Sequence, residues 1–371
     1  MSRGILAAGS ARVSEMVATL PSHLQRPFHQ AKALYRFLAN PRVGAEALLE
    51  RVCRESALAL EGEEVLVFLD LSPVRKPHAR ALEGIARVGR KREAGYELLT
   101  ALGMDAQGRL ALGYAHLVAY GERGFASLPR EVERAIAGAR GVLGGEGRRL
   151  VYVADRGFDD RKVFGQVLGL GEGFVVRVYR DRRLGEGDSL REVASSLPLR
   201  WRGQVEMRVG GRYRGVALGV GWREVEVEGR RLYLVVSRIP ALGRRGEWWL
   251  LTSLPVRGEE EALRVVEMYR RRWEVEEFFR LLKVGLRLES FQVRGLSRIR
   301  KVVAVLLGLA VFLWEVRRSG GALEGLLLRL GGKLGIASER DGPYLLLRGL
   351  VRLLNYEVTK EALEEEEGSF G

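Results

Sequence analysis

The sequence predicts an α/β protein: a mixed sheet with flanking helices, interrupted by a β-rich insertion at about 185–245 and bounded by helical regions at both ends. Three observations predict it. Apolar runs of strand length recur between Val65 and Tyr179. Helical patterns separate the later of these runs. Short alternating runs divided by glycines then fill the insertion before helical patterns resume at Glu259 and persist to the end.

Taken in order, residues from about 10 to 55 read as helices punctuated by Pro21, Pro27 and Pro41. Val65–Leu69 is the first strand, ending at Asp70 with a turn expected at Ser72-Pro73. Tyr96–Leu102 and Leu110–Tyr120 read as two more strands joined by Asp105-Ala106-Gln107-Gly108. Leu128–Val142 reads as a helix with Pro129 in its first turn. Leu150–Ala154 is a fourth strand, closed by Asp155; a helix and a strand at Phe174–Tyr179 follow. Within the insertion, Gln204–Val209, Tyr213–Val220, Glu224–Val227 and Leu232–Val236 read as strands. Three meander strands followed by alternating helices and strands make a mixed sheet covered by helices. Three regions result: a helical 1–60, a mixed-sheet 61–290 that includes the insertion, and a helical 291–371 whose run Glu364–Glu367 reads as a solvated tail.

Composition bounds the function. The 371 residues are 47% hydrophobic and 29% charged, an ordinary globular balance. The single cysteine, Cys53, excludes an intrachain disulfide and a thiolate cluster and fits a reducing, cytoplasmic setting. Net charge is +14, and arginine dominates the basic residues. Arginine's planar fork suits phosphate, so a polyanionic partner is favoured; a coding sequence rich in G and C would give the same bias. No secretory signal is expected in Met1–Leu20. The apolar run Val302–Trp314 is too short to cross a bilayer and reads as a buried helix, so no membrane partner is expected. Between Gly171 and Leu250, 16 arginines and no lysines face ten acids, a net +6 that suits a DNA backbone or, equally, charged hairpin edges.

The chemistry-bearing residues are few. Asp70 and Asp155 close apolar strands, where a rigid sheet aims a side chain into a crevice; either acid alone also suits a turn or a helix cap. Asp159 and Asp160 read as caps of the helix that follows. Glu259–Leu286 reads as one helix capped by Gly258 and ended by Gly285. On it, Tyr269, Arg272, Glu276 and Lys283 fall within roughly 60° of arc, one stripe about 21 Å long. A carboxylate there can hold a hard cation while its neighbours hold phosphate oxygens; i,i+4 ion pairs on a solvated helix are the alternative. Two strand acids and a helix acid are what metal-assisted phosphodiester chemistry needs. His23, His29, His78 and His116 form no zinc motif, His23-x2-Arg26 lacks a downstream nucleophile, and Lys333 lacks phosphate-loop spacing, so no nucleotide cofactor is expected.

Tyr269-x2-Arg272-x3-Glu276-x6-Lys283 resembles the Tyr-Arg-Glu-Lys motif of the bacterial insertion-sequence DDE transposases. Trp249-Leu250-Leu251-Thr252-Ser253-Leu254-Pro255, Asp155-Arg156-Gly157-Phe158, Lys32–Asn40 and, more loosely, Asp70-x5-Lys76 are similar to the same family. The likeness runs from about 25 to 315. It implies an RNase H-like core carrying the insertion between the second aspartate and the glutamate, a helical DNA-binding region at 1–60, and Asp70, Asp155 and Glu276 as ligands of two Mg²⁺ ions (or Mn²⁺). It further implies that Tyr269, Arg272 and Lys283 contact phosphates, that Trp248 or Trp249 stacks on a flipped base, and that the partners are double-stranded DNA at element ends and target, bound by a homodimer. One departure stands out: where relatives carry a small polar residue after the first aspartate, this chain has Leu71, with Ser72 one place later. Cut-and-paste transposition is the expected activity. An RNase H-like nuclease without strand transfer, or an inert DNA-binding derivative of a transposon, would share these features.

Overall fold

A computed structural model describes residues 1–19, 27–145, 147–185, 187–209, 212–332 and 342–369. His23-x2-Arg26, Pro21 and Lys333 lie outside the described residues.

The N-terminal region forms α1 (Ser2–Ala8), α2 (Val13–Ala18), α3 (Pro27–Ala39) and α4 (Ala45–Ala57). The sheet then opens with β1 (Glu64–Arg75), β2 (Ala86–Val88), β3 (Glu93–Met104) and β4 (Leu110–Val118). Next come α5 (Leu128–Leu143), β5 (Arg149–Ala154), α6 (Arg161–Gly169) and β6 (Gly173–Arg177). The insertion contributes α7 (Leu190–Ser196), β7 (Arg200–Val209), β8 (Arg212–Val227) and β9 (Arg230–Arg238), and β10 (Glu247–Thr252) returns to the sheet. Helices α8 (Glu259–Arg270), α9 (Trp273–Arg280), α10 (Leu296–Arg318), α11 (Ala322–Leu330) and α12 (Pro343–Ser369) complete the chain.

All ten strands join one sheet in the order β2-β3-β1-β5-β6-β10-β9-β8-β7, with β4 also paired to β3. β1 is antiparallel to β3 and parallel to β5, and β5 is parallel to β6. Three antiparallel meander strands followed by two parallel ones, with helices on both faces, give the RNase H-like fold expected from the sequence. The insertion is no separate body: β10 bridges β6 to β9, so its strands prolong the same sheet.

Period-two alternation sorts the sheet's side chains into two cores. Leu66 and Phe68 of β1, with Val151 and Val153 of β5, enter the core beneath the N-terminal helices, α8, α9 and α10. Val65, Val67 and Leu69, with Leu150, Tyr152 and Ala154, enter the other, beneath α5, α6 and α7. The expected buried helix around Val302–Trp314 is the centre of α10, most of whose residues are buried. Its Lys301, 3% exposed, donates from Nζ to Leu38 O at 2.9 Å and Asn40 O at 2.7 Å. Those bonds satisfy both the buried ammonium and the open carbonyls at the end of α3. Among the described residues no helix is long and apolar enough to cross a membrane.

Several local expectations need correction. β1 does not turn at Ser72-Pro73 but runs on to Arg75, pairing Ser72 with Leu98 and Pro73 with Glu97 on β3. β5 follows β1 only as far as Leu69, so the opposite edge at Pro73 needs no donor and proline is tolerated. The runs at 213–220 and 224–227 are one strand, β8, because β7 pairs with its first half and β9 with its second. The insertion also holds α7, started by a Ser189/Glu192 capping box that its short length had hidden. Helix begins at Ser2 rather than near residue 10, and the backbone of the closing glutamates continues α12.

Candidate active site

The same alternation predicts where the acids point. Counting by twos from Leu66 and Phe68 puts Asp70 on the α8–α9 side; from Val151 and Val153, Asp155 falls there too. β1 and β5 are in parallel register with Leu69 opposite Ala154, so the two aspartates are level on adjacent strands. Ser72 shares Asp70's side and Leu71 the opposite one, which accounts for the displaced small polar residue: the hydroxyl, not the position after the aspartate, meets the motif's lysine.

That lysine comes from a segment expected to be one helix. It is α8, a two-residue turn at Arg271-Arg272, α9, and a π-turn over Leu281–Gly285 closed by Leu286 N–H donating to Leu281 O at 2.8 Å. The N-terminal expectation holds, with Gly258 preceding Glu259, Glu260 and Glu261. Despite the interruptions the four motif residues meet the same edge of the sheet. Tyr269 is buried against Trp248, ring centroids 5.2 Å apart, and the Arg272 guanidinium lies over the Tyr269 ring. Arg272 Nη2 donates to Glu276 Oε1 at 2.7 Å, while its Nη1 is 4.0 Å from Asp70 Oδ1. Lys283 Nζ donates to Ser72 Oγ at 2.8 Å and Pro73 O at 2.7 Å. The i,i+4 pair Arg272–Glu276 exists, but Arg272 is only 15% exposed, so it is not surface decoration.

Asp155 starts a single 3₁₀ turn, Arg156–Phe158: its Oδ1 accepts from Gly157 N–H at 2.7 Å. A Cβ at Gly157 would lie 3.3 Å from that oxygen, a tight contact. The turn-starting and site-forming readings of Asp155 are therefore compatible, since the hydrogen bond engages only one of its two oxygens.

The electrostatics tie the three acids together. Burial pushes Asp70 up to about 6; Arg272 pulls it back, while Asp155 and Glu276 push it further up. Lys283 is lowered by burial first, with Arg75 adding to the effect and Glu289 and Asp70 opposing it. Burial works against the charge on Arg272, but Tyr269, Glu276, Asp70 and Asp155 outweigh it and hold its pKa above the usual value. The Arg272 Nε is buried with no hydrogen-bond partner among the described residues. Asp70, Asp155 and Glu276 thus all lie near enough to Arg272 to favour its charge, and Asp155 and Glu276 near enough to Asp70 to oppose its ionisation. Among the described residues no three acidic, histidine or cysteine side chains stand close enough to grip a metal ion as they are placed, Glu276 being turned to Arg272. An all-oxygen donor set nevertheless suits a hard divalent cation.

Some residues fall elsewhere. Lys76 is turned away, donating to the carbonyls of Glu289 and Phe291 and sitting over the Phe291 ring. Asp160 caps α6 through Lys162 N–H, as expected. Asp159 does not: it is buried and accepts from the N–H groups of Tyr179 and Arg180. Trp248 is 3% exposed and borders a cleft of about 370 Å³ between the insertion and α8. Trp249, half-buried against the opposite core, donates to Glu247. The more exposed tryptophans are Trp201 on β7 and Trp273 beside Arg272. Nothing in hydropathy separated these from Trp248 and Trp249; strand register was the missing information.

The sheet order and the level acids on β1 and β5 define a protein of the RNase H-like class. Residues 61–312 match the family model described as Transposase DDE domain, and the chain belongs to that family. Its function is accordingly that of a transposase in general.

Proposed function

We propose that this chain is a cut-and-paste DNA transposase that cleaves DNA at element ends and joins the freed 3′-hydroxyl to target DNA. The observation that carries the reading is geometric: Asp70 and Asp155 are level on adjacent strands, and a largely buried Arg272 reaches from Glu276 toward Asp70. Mg²⁺, or Mn²⁺, held by these three carboxylates would supply the Lewis acidity that activates an attacking oxygen and stabilises a leaving one. Asp155, one of whose oxygens accepts from Gly157 N–H, and Glu276, now bonded to Arg272, would be ligands together with Asp70. Arg272, with its unpartnered Nε, would be the donor to phosphate oxygens. Lys283 stays tied to Ser72 and Pro73 and places a second positive charge beside β1. A base drawn out of the duplex fits the cleft beside Trp248, with Tyr269 behind it. Helices α1–α4 bind the element end, and the C-terminal helices contact a second copy of the chain.

Incubation with a linear donor carrying the DNA that flanks the coding region tests this reading. Cleaved ends and joined products in Mg²⁺ support it; cleavage without joining favours the nuclease reading, and neither product leaves the inert one. Arg272→Ala and Lys283→Ala should each slow cleavage about 100-fold, the size of losing one preorganised donor, while leaving the metal sites able to fill. Rates near wild type in both would remove the stripe from the mechanism.

A further inference from the structure

Asp159, read from the sequence as a helix cap, builds something else. It is 3% exposed, and its Oδ2 accepts from Tyr179 N–H at 2.7 Å and Arg180 N–H at 2.8 Å. Its Oδ1 lies 2.6 Å from Arg182 Nη2, and Arg182 is itself 9% exposed and seated over the Phe164 ring. A buried ion pair and two charge-assisted hydrogen bonds thus fix the segment that leaves β6. What the segment presents is an aromatic ring facing water: Tyr179 is 71% exposed, the most exposed aromatic residue described other than Phe28.

The register places that ring. Val176 lies opposite Ala154, so Arg177 is level with Asp155, and Val178 continues the ladder by donating to Trp249 O. Counting by twos from Val175, Tyr179 belongs to the side of the sheet that carries Asp70 and Asp155, two residues past the level of Asp155. Arg180, next in the chain, is also exposed, with its Nη2 3.2 Å from Asp160 Oδ2, and Arg156 is exposed beside Asp155. An exposed ring on an anchored backbone, with arginine next to it in the chain, suits stacking on a nucleic-acid base while the phosphates are neutralised.

We propose that Tyr179 is a base-stacking platform for the DNA strand that passes Asp155, and that Asp159 is the residue that positions it. This rests on the proposed function above: the strand is the one to be cut, and stacking holds an unpaired base beside the cleavage position. Tyr179 supplies the ring, Arg180 a phosphate contact, and Asp159 the fixed backbone.

Binding of the full chain without metal to two labelled duplexes, one blunt and one with a two-nucleotide 3′ overhang, tests it. Wild type is expected to prefer the overhang. Tyr179→Ala should bind the overhang about tenfold more weakly, within the range of one base–aromatic stack, and bind the blunt duplex unchanged. Tyr179→Phe should match wild type, because the ring and not the hydroxyl is used. The salt dependence should stay the same in Tyr179→Ala but lose about one unit of slope in Arg180→Ala. Asp159→Asn should reproduce the Tyr179→Ala loss while keeping the blunt-duplex affinity. Equal affinities of wild type and Tyr179→Ala for the overhang would overturn the inference, as would a loss in Tyr179→Phe as large as in Tyr179→Ala. If wild type cleaves DNA in Mg²⁺ while Tyr179→Ala keeps its overhang preference, this inference alone fails. A wild-type chain that binds neither duplex overturns it together with the proposed function.

Discussion

Asp70→Asn is expected to make the metal-free protein more stable and inactive at once. A carboxyl whose pKa is raised to about 6 from an ordinary value of 3.8 is an unfavourable group at neutral pH. The sign follows from linkage. Below the ordinary carboxylate range Asp70 is protonated in both folded and unfolded chains and costs nothing. As pH rises from there through about 6, the unfolded chain releases the proton first, and folding stability is progressively lost. At pH 7.5 the loss is at most about 3 kcal/mol, some two pH units at ~1.4 kcal/mol each. Asparagine removes that loss, so the unfolding midpoint in urea should rise at pH 7.5 and match wild type near pH 3.5. Divalent cations should stabilise wild type at pH 7.5 by mass action and leave Asp70→Asn unmoved. A variant less stable than wild type at pH 7.5 would mean that burial does not disfavour the Asp70 carboxylate.

Glu276→Gln is the second large effect. Glutamine keeps the length of the side chain and can still accept from Arg272, and the position is half-exposed, so the fold should be unaffected. DNA binding should persist while Mg²⁺-dependent cleavage falls by more than ~100-fold, since even groups behind metal ligands commonly cost 10–100-fold. Because Glu276 is one cause of the raised Asp70 pKa, the acid limb of any residual activity should move to lower pH. Cleavage within a few-fold of wild type would leave Asp70 and Asp155 without their third partner.

Much of this was legible in the chain itself. The apolar runs Val65–Leu69 and Leu150–Ala154 placed the strands, and the fixed spacing of Tyr269, Arg272, Glu276 and Lys283 singled out the segment that meets them. The rest was hidden for identifiable reasons. Pro73 reads as a breaker because its tolerance depends on β5 stopping one strand away, a fact of pairing that no local pattern carries. The π-turn at Leu281–Gly285 leaves the helical pattern intact, so Lys283 could be put on the stripe but not joined to Ser72. Asp159 looks like its neighbour Asp160, and only the return of the chain along β6 gives it separate partners. Likewise the alternating residues of the insertion announced strands, but the continuity of the whole sheet through β10 depends on its long-range pairing with both β6 and β9.

Asp70, Asp155 and Glu276 are proposed to hold divalent cations where Arg272 now reaches between Glu276 and Asp70. Anomalous scattering from crystals of the full chain soaked in Mn²⁺ addresses it most directly. Manganese density is expected beside the carboxylates of Asp70 and Asp155, with Glu276 turned off Arg272 and toward the ion. Manganese bound only elsewhere, with the Arg272–Glu276 bond and the Arg272–Asp70 approach intact at saturating Mn²⁺, would contradict it.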